Sequence, residues 1–127
     1  MFDLDPKTED LARRVIGAAI EVHRTLGPGF LEKVYQRSLS VELDHEGIEH
    51  RVESPVKILY RGVDVGDGRA DILITDHLIV ELKTVEAIAD IHRAQVLPYL
   101  KATGLRLGLL MNFNTTVLKD GIQRIIH

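Results

Sequence analysis

The sequence contains no cysteine, which removes disulfide bonds, thiolate catalysis and cysteine-ligated zinc at once. Oxygen or imidazole ligands would therefore have to hold any bound metal. No apolar run approaches the roughly 20 residues that cross a bilayer, and the acidic N-terminal segment has no signal-peptide pattern. We therefore expect a cytoplasmic protein with no membrane partner. The formal net charge of −3 gives no general attraction to polyanions, so such a partner would need a local basic surface or a bound cation.

What is present is the composition of a folded domain. Of the 127 residues, 45% are hydrophobic and 28% are charged, which is typical of a globular chain with one core. No internal repeat, low-complexity stretch or linker interrupts the sequence. We therefore expect residues 1–127 to form a single domain.

The spacing of apolar residues predicts the order ααβββαββ, an α/β domain in which a helix crosses over between strands. Pro55 indicates an edge strand or a bulge, and the glycine-rich segment 62–68 is typical of a loop. Pro98 is expected to kink the last turn of the third helix. The predicted helices cover 6–25, 31–45 and 85–102, and the predicted strands cover 52–60, 69–74, 78–84, 105–111 and 121–126.

The segment 69–83 has the pattern of a β-hairpin with one apolar face. If its turn is centred on Asp76, every cross-strand pair on that face is apolar, and a shift of one residue destroys the match. The register is therefore well determined, and one face of the hairpin is expected to pack on a core. The predicted pairs are Ala70 with Leu82, Ile72 with Val80 and Ile74 with Leu78.

The same register places Asp71 opposite Glu81 on the other face, with Lys83 two residues farther along the strand. Directly opposed residues have Cβ atoms about 4.5–5.5 Å apart, so the two carboxylates would repel each other unless a cation lay between them. Oxygen ligands of this kind suit Mg²⁺, Mn²⁺ or Ca²⁺. A neighbouring lysine could position a water or offset charge on a phosphate. A solvated polar face, in which Lys83 pairs with either acid, explains these three residues equally well.

Two helical pairs favour a functional site over a solvated face. Gln95 and Tyr99 are four residues apart in the helix after the hairpin, and Glu32 and Tyr35 are three apart in the second helix. Residues at these spacings share a face of a helix. Each pair alone is typical of a helix boundary, but several polar groups could converge on one metal.

These residues resemble the PD-(D/E)xK nuclease fold, and more narrowly the GxxExxY family within it. The family motif reads GFLEKVY here, from Gly29 to Tyr35, and the RecB-type QxxxY element reads QVLPY, from Gln95 to Tyr99. The resemblance continues through Ala70-Asp71, Glu81-Leu82-Lys83 and Met111-Asn112-Phe113. Arg69-Ala70 precede Asp71, in place of the proline that gives the superfamily its name.

The resemblance implies a restriction-endonuclease-like αβββαβ core with a mixed central sheet flanked by helices. It implies Mg²⁺ or Mn²⁺ held by Asp71 and Glu81, with Glu32 completing the metal site and Lys83 as the catalytic lysine. In this family pattern Gln95 and Tyr99 support the site and the substrate strand, and Tyr35 is grouped with them as a substrate-binding residue.

The leading hypothesis is a metal-dependent nuclease that hydrolyses DNA by an in-line attack of an activated water and leaves a 5′-phosphate. The runner-up is a catalytically inactive nuclease-fold module that binds a protein or nucleic acid, or that self-associates as a homo-oligomer. Hydrolysis of a small phosphodiester is a third possibility.

Overall fold

The computed structural model describes residues 4–127, and the first three residues of the acidic N-terminal segment lie outside that range. The order of elements agrees with the predicted ααβββαββ, with one added 3₁₀ helix before the last strand. The elements are α1 (Pro6–Leu26), α2 (Glu32–His45), β1 (His50–Tyr60), β2 (Val63–Ile74), β3 (Leu78–Lys83), α3 (Asp90–Thr103), β4 (Leu107–Asn112), the 3₁₀ helix (Leu118–Gly121) and β5 (Ile122–Ile126).

The five strands form one mixed sheet in the order β1-β2-β3-β4-β5. All neighbours are antiparallel except β3 and β4, which are parallel and are joined by α3. The prediction of an α/β fold with a mixed sheet and a crossover helix is therefore confirmed. Pro55 lies in β1, at the edge of the sheet, where its missing N–H breaks no inner ladder.

Helices cover both faces of the sheet. Helices α1 and α2 pack on one face in the larger hydrophobic cluster, and α3 packs on the other in a smaller one. Strand β4 is buried along its whole length, as its continuous apolar run predicted. Helix α1 begins where the Asp5 carboxylate accepts a hydrogen bond from the Thr8 N–H at 2.8 Å, with Pro6 in the first turn.

The hairpin of β2 and β3 has the predicted register at its closed end. Ile72 pairs with Val80 and Ile74 pairs with Leu78, and the turn residue Asp76 has a φ of 63°. The prediction that Ala70 shares this apolar face is wrong, because Ala70 is buried in the smaller cluster against α3. The ladder between β2 and β3 stops at Ile72, and beyond that point β2 is paired with β1.

Two predicted boundaries are also wrong. The glycine-rich segment is part of β2, which pairs with β1 up to a turn at Arg61 and Gly62, whose φ values are 50° and 77°. Positive φ at both central residues is the requirement of the two-residue hairpin turn that matches strand twist. Helix α3 begins at Asp90 rather than at residue 85, because the side chain of Asn112 binds both backbone groups of Val85.

Candidate active site

The open end of the hairpin holds Asp71 and Glu81 together through their carboxylates. The Asp71 N–H donates to Glu81 Oε1 at 3.2 Å, and the Leu82 N–H donates to Asp71 Oδ2 at 2.8 Å. These two hydrogen bonds occupy the stretch where the ladder between the strands has stopped. The carboxylates are therefore held by the backbone of the opposite strand, and both side chains are only partly exposed.

The charges at this end of the hairpin are poorly compensated. Burial, together with the neighbouring Asp71 carboxylate, raises the pKa of Glu81 to about 8. Burial and Asp71 also raise the pKa of Glu32, the first residue of α2. The Lys83 ammonium acts in the opposite direction on both glutamates, but it does not cancel the effect. Glu32 and Glu81 therefore lie in an environment, beside Asp71, where their charged forms are unfavourable.

Gln36 connects α2 to this end of β2. Its side-chain amide donates to the backbone oxygen of Asp71 at 3.0 Å, and the residue is buried. Gln36 lies one helical turn after Glu32, so the two residues share a face of α2. The bond places the start of α2, and Glu32 with it, beside Asp71. The same i,i+4 spacing in the sequence could have pointed to Gln36, which the prediction did not include.

Lys83 is the last residue of β3, and its backbone is held on two sides. It pairs in parallel with Asn112 at the end of β4, and its carbonyl accepts the Phe113 N–H at 2.9 Å. The buried Asn112 amide accepts the Val85 N–H at 3.1 Å and donates to the Val85 carbonyl at 2.8 Å. Asn112 thus constrains the chain two residues beyond Lys83. The Met111-Asn112-Phe113 motif could have indicated a role for Asn112, but Val85 as its partner could not be predicted from the motif.

The other predicted site residues occupy different environments. Tyr35 is fully buried: its hydroxyl donates to the Gly27 carbonyl at 2.6 Å, and its ring stacks on Phe113 at 4.6 Å. It supports the loop between α1 and α2, and these contacts are all within the protein. Gln95 is exposed on α3, and Tyr99 is half-buried against β2. A Cβ at Gly68 would lie 2.5 Å from the Tyr99 ring, so this close approach requires a glycine.

The donor set at the hairpin fits a divalent cation in part. Within residues 4–127, no three Asp, Glu or His side chains are arranged as a ready-made ligand cluster. Asp71 and Glu81 nevertheless form a crowded acidic pair, and a cation would relieve the repulsion that raises the pKa of Glu81. Carboxylate oxygens are the ligands that Mg²⁺ and Mn²⁺ prefer. These two residues fit as metal ligands, and Glu32 is near enough for the Asp71 carboxylate to raise its pKa.

The fold and this acidic pair, followed by a lysine two residues later, define an α/β domain with a restriction-endonuclease-like core. A family model described as the PD-(D/E)XK nuclease superfamily matches residues 9–125, nearly the whole chain. The chain belongs to the PD-(D/E)XK nuclease superfamily. No curated protein and no solved structure gives a significant match to it.

Membership establishes the nuclease class, whose substrates are nucleic acids and whose members generally use divalent metals. Assignment to the GxxExxY family and to the RecB-type QxxxY element stays a prediction. In the part of the chain from residue 4 onward, no helix is long and apolar enough to cross a membrane.

Proposed function

We propose that the protein is a nuclease that hydrolyses DNA phosphodiester bonds with the help of Mg²⁺ or Mn²⁺, and that residues 1–127 form one catalytic domain. The observation that carries the proposal is the pair of crowded carboxylates, Asp71 and Glu81, at the end of a hairpin strand that finishes in Lys83. Superfamily membership makes this pair the expected place of reaction.

In this proposal Asp71 and Glu81 hold the cation, and Glu32 completes its surroundings from α2. A divalent cation bound there would supply a lowered pKa for an attacking water and positive charge beside the phosphate. Lys83 orients the water and offsets the charge that develops on the phosphate oxygens. Gln36 and Asn112 act on these residues through the backbone, by holding Asp71 and the segment after Lys83.

Purified protein with Mg²⁺ or Mn²⁺ should cut single-stranded, duplex or branched DNA. Lys83→Ala should lower the rate by about 10²-fold or more, which is the usual cost of losing a transition-state donor or a general base. Asp71→Asn should abolish cleavage and weaken Mn²⁺ binding in calorimetry.

Asp76→Asn is a matched control, because it makes the same substitution, aspartate to asparagine, at the exposed, closed end of the hairpin. Asp76→Asn should cut at the wild-type rate. Intact DNA with the wild-type protein, or cleavage that survives Asp71→Asn and Lys83→Ala, would contradict the proposal.

A non-catalytic nuclease-fold module is the second candidate. It is favoured by the lack of a ready-made cluster of three ligands within residues 4–127. Calorimetry separates the two candidates. A non-catalytic module would either bind no Mn²⁺ or bind it equally well after Asp71→Asn.

A further inference from the structure

Three cationic side chains lie near Glu53 in the edge strand β1, and one of them contacts its carboxylate. Lys33 Nζ lies 2.7 Å from Glu53 Oε1, and the Arg69 guanidinium donates to the Glu53 backbone oxygen at 3.3 Å. Lys33, followed by Arg69 and Arg37, lowers the pKa of Glu53. We refer to Lys33, Arg37, Arg69 and Glu53 as the Glu53 cluster.

The helical half of the Glu53 cluster adjoins the acidic site through α2. Lys33 directly follows Glu32, whose pKa responds to the Asp71 carboxylate. Arg37 lies four residues after Lys33, on the same helical face, and directly follows Gln36, which donates to the Asp71 carbonyl. Each cation on α2 therefore directly follows a residue that is close to Asp71. Gln36 contacts Asp71, and the Asp71 carboxylate raises the pKa of Glu32.

The strand half adjoins the same site through the sheet. Arg69 is two residues before Asp71 in β2. The β1–β2 ladder pairs Val52 with Ile72 and Ser54 with Ala70, so Glu53 lies between these pairs, level with Asp71. Glu53 also has a φ of 51°, which marks a local irregularity of the edge strand at this level.

The Glu53 cluster has a net positive charge, and its side chains are exposed to solvent. Three cations against one carboxylate leave two positive charges in excess, whereas the whole chain carries a formal charge of −3. Lys33 and Glu53 keep 53% and 45% of their side-chain surface, and Arg37 and Arg69 are also exposed. Exposed cations can exchange a partner for a phosphate at little cost.

We propose that Lys33, Arg37 and Arg69 bind backbone phosphates of a nucleic-acid strand and guide it to the carboxylates at Asp71 and Glu81. The inference rests on the proposed function for the identity of the substrate. Glu53 holds Lys33 and Arg69 in place before the strand arrives. This is the local basic surface that an acidic chain needs in order to attract a polyanion.

The test measures binding apart from cleavage. The wild type is compared with a triple variant, Lys33→Gln, Arg37→Gln and Arg69→Gln, by fluorescence anisotropy with labelled duplex DNA in EDTA over a range of salt. A control triple variant, Lys7→Gln, Arg13→Gln and Arg24→Gln, removes the same charge from exposed positions on α1. Circular dichroism establishes that all three proteins are folded.

Three lost phosphate contacts should reduce the slope of log Kobs against log salt by about 2.7 for duplex DNA. Between 50 and 200 mM salt the wild type should therefore lose about 40-fold more affinity than the cluster variant. The control variant should keep the wild-type slope. Equal slopes in all three proteins, equal losses in both variants, or no binding by the wild type would each overturn the proposal.

The outcome is separable from that of the proposed function. A wild type that binds through the Glu53 cluster yet leaves DNA intact with Mg²⁺ and Mn²⁺ would uphold this inference and refute the nuclease proposal. A wild type that cuts DNA, together with a cluster variant that binds with the wild-type slope, would uphold the nuclease proposal and refute this inference.

Discussion

Replacing Glu81 with glutamine should stabilise the protein when no metal is present. Glu81 is crowded by Asp71 and is largely withdrawn from water, so its charged form is unfavourable in the folded state. Glutamine has nearly the same shape, and its Oε1 can still accept the Asp71 N–H, but it carries no charge. The variant therefore isolates the cost of the charge.

The size of the effect follows from the pKa of Glu81, which is raised from its ordinary value of 4.5 to about 8. The folded protein holds this proton more tightly than the unfolded chain does. The resulting stabilisation is complete below pH 4.5 and is lost as the pH rises to about 8. Each whole pH unit in this window corresponds to about 1.4 kcal/mol, so the loss reaches up to about 5 kcal/mol. That is a large part of the stability of a typical domain, about 5–15 kcal/mol.

Urea denaturation in EDTA at a series of pH values measures this loss. The difference in free energy of unfolding between Glu81→Gln and the wild type should grow in favour of the variant by about 2–4 kcal/mol from pH 5 to pH 8. Glu86→Gln, at an exposed position in the loop after β3, serves as the control and should show a difference independent of pH. A constant difference for Glu81→Gln would refute the reasoning. Excess Mn²⁺ should raise the free energy of unfolding of the wild type at pH 8 and leave that of the variant unchanged.

Three further substitutions test the packing around the site. Gly68→Ala should lower the free energy of unfolding by about 1–3 kcal/mol, because the new methyl group would lie 2.5 Å from the Tyr99 ring. An unchanged urea midpoint would show that Tyr99 does not pack on β2. Asn112→Ala should cost about 2 kcal/mol and speed hydrogen exchange at the Val85 amide, since it removes both bonds to that residue. Tyr35→Phe should cost about 1 kcal/mol through its lost hydroxyl bonds yet leave DNA cleavage by the folded protein unchanged; a rate loss would place Tyr35 in the reaction.

The parts of the fold that could be predicted depend on local pattern. Alternating apolar residues determined the register of Ile72 with Val80 and Ile74 with Leu78, because a slip would expose the core face. The predicted helix over 6–25 likewise ends within one residue of α1, which Gly27 caps. In both cases the deciding residues are neighbours in sequence.

The parts that could not be predicted depend on distant partners. Helix α3 starts late because Asn112, 27 residues away in sequence, captures the backbone of Val85. The turn at Arg61 and Gly62 was missed because the first of these residues adopts a positive φ that arginine rarely favours. Such conformations are imposed by the assembled sheet rather than by local preference.

The candidate site divides in the same way. The approach of Asp71 and Glu81 follows from hairpin spacing, although their mutual bonds to backbone N–H groups do not. The proximity of Glu32 depends on how α2 docks. The spacing could have pointed to Gln36 on the same helical face, but not to the Asp71 carbonyl as its partner. The clustering of Lys33 and Arg69 around Glu53 also requires the three-dimensional fold.

The hydrogen bonds at Asp71 have a consequence for the order of folding. Those that join it to β3 span 10 and 11 residues of chain, whereas its bond from Gln36 spans 35. Shorter loops close with a smaller loss of entropy, so the acidic pair is expected to assemble before α2 arrives. A chain arrested at that stage would carry Asp71 and Glu81 side by side without Glu32 and without Lys33 and Arg37. Under the proposed function, the groups that α2 contributes to the cation and to the nucleic-acid strand would therefore arrive only with the last tertiary contacts.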